Sequence, residues 1–248
     1  MRVLRIAGAV ATALAIATPL IAQDSTGCAT CTGHDRPPSA FALRSAGAFS
    51  AIQSRPLGAM AHNIGFGYGV DGAYLFRLDH AGVFSLRAEL ALAQYGDESK
   101  RVRLSNSIGD RIQVDVVTNN DLAVASFGPQ IARPNGTIRP YVNGGIGAQF
   151  FFTDSHVNGA NDSFDFANTT NQHDWTPVWV AGGGVMVPLY ERRVRVLLDA
   201  GVQYLNGGHA RYLRPGSIQD FPDGHIEITP LESDTHMALV HLGVRIGL

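Results

Sequence analysis

The sequence predicts an all-β protein, an eight-stranded antiparallel up-and-down transmembrane β-barrel. Three observations carry that prediction. Eight segments alternate with the period of two that strands require, and no long stretch has clean helical periodicity. The connections between them alternate strictly between tight and long. Charged residues sit in mid-strand, on the face opposite the apolar one.

The chain of 248 residues begins with Arg2 and Arg5, then an apolar run from Ile6 to Ile21, then Ala22 before a polar stretch. That order is expected of a secretory signal peptide over 1–22, cleaved after Ala22. The run is short for a membrane anchor and is broken by Pro19. Residues 23–40, with Pro37 and Pro38, read as a flexible mature N-terminus, and 41–248 as the barrel. Cys28 and Cys31 stand in "CATCTGHDRPP". With no second pair to complete a zinc site, and with an oxidising compartment implied by export, a small local disulfide is expected.

The first strand is read from "FALRSAGAFSAI" (41–52), with Phe41, Leu43, Ser45, Gly47 and Phe49 on one side. In the second, "NIGFGYGVDGAYLFR" (63–77), Ile64, Phe66, Tyr68, Val70, Tyr74 and Phe76 oppose Gly65, Gly67, Gly69, Asp71, Ala73 and Arg77. The third (83–95) sets Phe84, Leu86, Ala88, Leu90 and Leu92 against Ser85, Arg87 and Glu89. The fourth (111–131) starts with Ile112, Val114 and Val116 against Gln113 and Asp115, and its phase blurs past Asn119 and Asn120, as a bulge would cause. Val142, Ile146, Ala148, Phe150 and Phe152 mark the apolar side of the fifth (139–154). Trp175, Trp179, Ala181, Val185, Val187 and Leu189 mark that of the sixth (174–190). The seventh (194–205) places Val194, Val196, Leu198, Ala200, Val202 and Tyr204 opposite Arg195, Asp199 and Gln203. In the eighth, "SDTHMALVHLGVRIGL", His236, Ala238, Val240, Leu242, Val244, Ile246 and Leu248 form the apolar list, and His241 and Arg245 fall on the other.

Tight turns join strands two to three, four to five and six to seven. The long connections 96–110, 155–173 and 206–233 then all fall at one end and are expected to be external loops. The polar face decides between a soluble sandwich and a membrane barrel. Lys100 is the only lysine, and the polar face is rich in Gly, with opposite charges among the small residues. Such a face suits a narrow closed interior in which Asp71, Arg87, Glu89, Asp115, Arg195, Asp199, His241 and Arg245 form a charge network. The apolar face then meets lipid, and closure is obligatory, because an open sheet edge in hydrocarbon leaves its amides unsatisfied. Trp175, Trp179, Tyr68, Tyr74, Tyr190 and Tyr204 stand where aromatic girdles could form.

The eight segments, the alternating connections and the closing "ALVHLGVRIGL" resemble the small bacterial outer-membrane β-barrel proteins of the outer membrane protein A, W and X kind, over 41–248. That resemblance implies the bacterial outer membrane as location, outer-membrane lipid and the barrel-assembly machinery as partners, and a monomer. It also implies that the last strand is the assembly signal, carried here by Leu242, Val244, Ile246 and Leu248. The family usually ends on an aromatic residue, where this chain has Leu248.

A net charge of -2 offers no basic footprint for nucleic acid. No G-x-S-x-G, H-E-x-x-H or P-loop pattern occurs. His236 and His241 are five apart and so lie on opposite strand faces. The acid-rich stretches "DFPDGH" and "NGANDSFDF" lack regular ligand spacing. The sequence is therefore expected to encode a non-enzymatic barrel, structural or passing or binding small solutes, with no catalytic residue, metal or cofactor. The alternatives are a membrane-embedded lipid-modifying enzyme on the same barrel and a soluble exported ligand-binding barrel.

Overall fold

The computed structural model describes residues 45–103, 113–159, 165–191, 194–221 and 225–247. The expected signal peptide, both cysteines, Phe41, Leu43 and Leu248 lie outside them.

Eight long strands close into one barrel. They are β1 (Ser45–Pro56), β2 (Gly67–Arg77), β3 (Phe84–Arg103), β4 (Gln113–Ala132), β5 (Arg139–Gly159), β6 (Asp165–Glu191), β7 (Arg195–Tyr212) and, after the short hairpin β8 (Ile218–Asp220) and β9 (Ile226–Ile228), β10 (Leu231–Gly247). Each pairs antiparallel with its sequence neighbour, and β1 pairs with β10 from Ala46↔Gly247 to Pro56↔Met237. The last strand closes on the first, so no edge is left open to hydrocarbon.

Strand phase follows from the two environments. Phe49, Leu90, Phe127, Ile146, Leu198, Val202, Leu242 and Val244 point outward and are exposed. Tyr68, Trp175, Trp179 and Tyr204 stand at the loop-side border of this outer apolar band, with Trp179 edge-on to Tyr204 at 5.7 Å. Such amphipathic rings belong where hydrocarbon meets headgroups.

The strands are longer than the sequence reading, and they grow at the long-connection end. β3 continues to Arg103, β5 to Gly159, β6 starts at Asp165, and β7 reaches Tyr212. Much of the expected external loops 96–110, 155–173 and 206–233 is thus strand. At ~3.3 Å per residue and a tilt of ~40°, the 27 residues of β6 rise roughly 70 Å, far beyond the ~25 Å apolar band.

Above the band the alternation inverts. In β4, Phe127 and Ile131 face out while Gln130 is buried inside; higher up, Leu122 and Val124 are buried inside while Asp121 and Asp115 face out. The strand keeps one phase, with no register shift of its own against β5. The irregularity expected near Asn119 lies across the ladder in β3, between Gln94 and Gly96. Where lipid gives way to water, apolar residues move from the outer face to the inner one.

The inner apolar layer is the core of the protein. Leu122, Phe151, Leu205, Tyr212 and Met237 are almost wholly buried there, together with Tyr95 and Val178. Phe151 lies 6.1 Å from Tyr95 and 5.7 Å from Tyr212, ring to ring. The segment between β1 and β2 closes over them with a short 3-10 turn, Gly58–His62, whose Met60 is fully buried. Ile64, read above as a lipid-facing strand residue, precedes β2 and is buried in this core. Leu57 N donates to His236 O at 2.8 Å and Asn63 Nδ2 to the Tyr212 hydroxyl at 3.0 Å, which fastens the turn down. Each such apolar side chain contributes about 1.5–3 kcal/mol by leaving water.

Candidate functional site

Beneath the apolar core the lumen is polar. Inward positions of six strands, β2, β3, β4, β5, β7 and β10, bring Asp71, Arg87, Glu89, Gln130, Tyr141, Asp199, Gln203, His241 and Arg245 into one buried layer. Strand phase alone delivers them, because each lies an even number of residues from other inward side chains on its strand.

The layer has two linked halves. In one, Arg87 Nε donates to Glu89 Oε2 at 2.6 Å and Nη1 to Gln130 Oε1 at 3.4 Å, while Nη2 lies 3.8 Å from Asp71 Oδ2. Gln203 Nε2 reaches across to both Glu89 oxygens at 3.0 and 2.9 Å. In the other, Arg245 Nη2 donates to Asp199 Oδ2 at 2.6 Å and the Tyr141 hydroxyl donates to Asp199 Oδ1 at 2.8 Å. The hydroxyl of Tyr141 has one proton and gives it to Asp199. Its 2.9 Å contact with His241 Nε2 therefore needs the imidazole to donate, which fixes hydrogen on Nε2. The Arg245 guanidinium also lies 5.1 Å from the centre of the Tyr141 ring.

Glycine makes this packing possible. A Cβ on Gly184 would stand 2.7 Å from the Tyr141 hydroxyl, and one on Gly201 would stand 2.7 Å from His241 Cε1. Three carboxylates, two guanidiniums and an imidazole thus share a volume from which water is largely excluded. Glu89, Asp199, Arg87, Arg245 and His241 are hydrogen-bonded to one another or to Tyr141, Gln130 and Gln203, while both Asp71 oxygens and Arg245 Nε make no hydrogen bond and Asp71 meets Arg87 only at 3.8 Å. An arrangement of this kind cross-links strands and fixes their register through the bonds that Glu89 and Asp199 accept.

Six of the eight expected network residues belong to this layer: Asp71, Arg87, Glu89, Asp199, His241 and Arg245. Asp115 does not. It lies on the outer parity of β4 above the apolar band, bonded to Arg101 Nε at 2.9 Å, because there the polar face is the outer one. Arg195 has inward parity but sits exposed at the tight-turn mouth, four residues below Asp199. Leu242, Val244 and Ile246 are exposed on the outer face of β10, with Leu248 outside the described residues. Gln130, Tyr141 and Gln203 were not singled out from sequence as site residues. Neutral and common in strands, they carried no signal beyond their phase.

No protein-family model matches the chain, and no curated protein does. Solved structures do. The attachment invasion locus protein Ail of Yersinia pestis is 12% identical, over 82% of this chain and 97% of that one, with a TM-score of 0.42. A major outer membrane protein of Thermus thermophilus is 13% identical over 80% and 98%, TM-score 0.41. The N-terminal β-barrel domain of OprF from Pseudomonas aeruginosa is 15% identical over 82% and 98%, TM-score 0.31. Nothing about a ligand or partner of this chain follows from these similarities.

Proposed function

We propose that this protein is a non-enzymatic barrel of the bacterial outer membrane whose lumen is sealed, so that it acts as a structural and surface-presenting element rather than a conduit. The observation that carries this reading is the filling of the lumen at two levels. Phe151, Tyr212, Leu122, Leu205 and Met237 fill it on the loop side. Arg87–Glu89 and Arg245–Asp199 fill it beneath them. An ion would have to shed its hydration shell to pass the first level and break buried charge pairs to pass the second.

The outer apolar band supports insertion in a bilayer, and the tall β3–β6 wall supports a surface role on the side of the long connections. The outward Leu242, Val244 and Ile246 of β10 supply what the assembly machinery would read. Planar-bilayer recording on the refolded barrel tests the sealed reading. No conductance steps are expected from the intact protein, nor from the variant with Phe151 and Tyr212 both replaced by alanine, because the charge layer beneath still closes the lumen. Regular steps from the unaltered protein would overturn it.

A further inference from the structure

The outer face changes character along one row of the ladder at the closing seam. Arg55 of β1 pairs with Ala238 of β10, Ala238 with Tyr204 of β7, and Tyr204 with Ala181 of β6. Toward the tight-turn end, outward positions of β1, β10 and β7 are apolar: Phe49, Val240, Leu242, Val202 and Leu198 are all exposed. Toward the loop end, β7 and β10 carry charge, with His209 bonded to Asp234 at 2.6 Å and Arg211 to Glu232 at 3.3 Å. The row therefore stands where hydrocarbon meets headgroups.

Arg55 is the unmatched charge of this row. It is exposed, and among the described residues no carboxylate meets its guanidinium, which lies over the Phe66 ring, 5.5 Å from its centre. Ala238 beside it carries only a methyl group. Beyond Ala238, Tyr204 stacks with His236, ring centres 6.4 Å apart, and meets Trp179 edge-on. Directly paired side chains on one face stand ~5 Å apart, so Arg55 and Tyr204 flank Ala238 with roughly 10 Å between their Cβ atoms. The result is a shallow notch, with a cation on one wall and aromatic rings on the other.

We infer that this notch seats the phosphate of an anionic membrane lipid on Arg55, with the acyl chains running down the apolar face beside Val240 and Val202. Such a contact presupposes the membrane position proposed above. A guanidinium presents its N–H donors in a fork that matches two phosphate oxygens. Its contact with Phe66 holds it at the edge of the notch, and the tyrosine and tryptophan rings suit the glycerol level of a lipid.

The test uses the full barrel refolded in phosphatidylcholine vesicles, with Trp175→Phe leaving Trp179 as the sole tryptophan. Phosphatidylglycerol or phosphatidylcholine with brominated acyl chains is added in equal proportion, since bromine quenches indole fluorescence only at close range. The phosphatidylglycerol should quench Trp179 at about fivefold lower mole fraction, and salt should reduce that preference. Arg55→Gln should abolish the preference and Arg55→Lys should keep most of it. Arg101→Gln, outward on β3 but bonded to Asp115, should leave it unchanged; heat-modifiable migration shows that each variant is folded. Equal quenching by both lipids, a preference that survives Arg55→Gln, or an equal loss with Arg101→Gln would overturn the inference. So would loss of the preference on adding inorganic phosphate at fixed ionic strength, which would make the ligand a free anion. Quenching by neither lipid would show that the apolar band is not in a bilayer, and would overturn the membrane position itself.

Discussion

Arg245 of β10 and Asp199 of β7 meet at 2.6 Å inside the barrel, with 6% and 2% of their side chains exposed. Such a pair adds little over a well-packed apolar one, but breaking it strands a buried charge. Asp199→Asn should therefore destabilise the barrel by about 3–5 kcal/mol, read from urea unfolding in lipid vesicles. Adding Arg245→Gln should recover part of that loss. Additive losses would mean that the two side chains do not depend on each other.

The inversion of the strand pattern predicts opposite tolerances along β4. Phe127 is outward in the apolar band, and Phe127→Arg should cost roughly 2 kcal/mol or more by placing charge in hydrocarbon. Leu122, inward above the band and 1% exposed, should lose about 2–5 kcal/mol on change to alanine. Asp121, outward and half-buried at the adjacent position, has its carboxyl pushed up to about 6 by burial and by Asp154, so asparagine there should cost nothing at neutral pH and should stabilise if anything. The same unfolding assay decides all three.

That inversion also explains which parts of the molecule were legible in the sequence. Within the band one face meets lipid and the other a polar lumen, so a slip of one residue would misplace every side chain, and phase could be read directly. Asp71, Arg87, Glu89, Asp199, His241 and Arg245 followed from it. Above the band, Val114 and Val116 look like a lipid face, yet their parity is that of buried Leu122 and Val124, and Asp115 took the wrong side as a result. The strand extensions were read as loops because residues such as Asp97 and Ser99 are usual in loops and equally usual on a sheet face in water. Met60 gave no signal, since nothing local tells a capping turn from a surface one.

Gly201 predicts a packing limit. A Cβ there would stand 2.7 Å from both the Gly183 carbonyl oxygen and the His241 ring. Gly201→Ala should cost ~1–3 kcal/mol through overpacking. Combining it with His241→Ala should restore the share due to the ring and leave the share due to the strand. If the double variant is no better than the sum of the singles, the imidazole is not what Gly201 accommodates.

The turn between β2 and β3 carries a titration that can be signed. Asp79 Oδ1 accepts from Phe84 N at 2.9 Å and Oδ2 from Val83 N at 3.1 Å. Its slight loss of hydration would raise the carboxyl pKa, but those N–H groups outweigh it and hold the pKa below the ordinary value of 3.8. A carboxyl with a depressed pKa in the folded state stabilises fully above its unfolded value, near 3.9, and loses that contribution as pH falls through the folded value. Asp79→Asn should therefore lower the unfolding midpoint slightly at neutral pH, and the gap between the two proteins should shrink steadily below about pH 4. A gap that stays constant from pH 7 to below pH 3 would show that the variant acts through the turn's backbone geometry and not through the charge on Asp79.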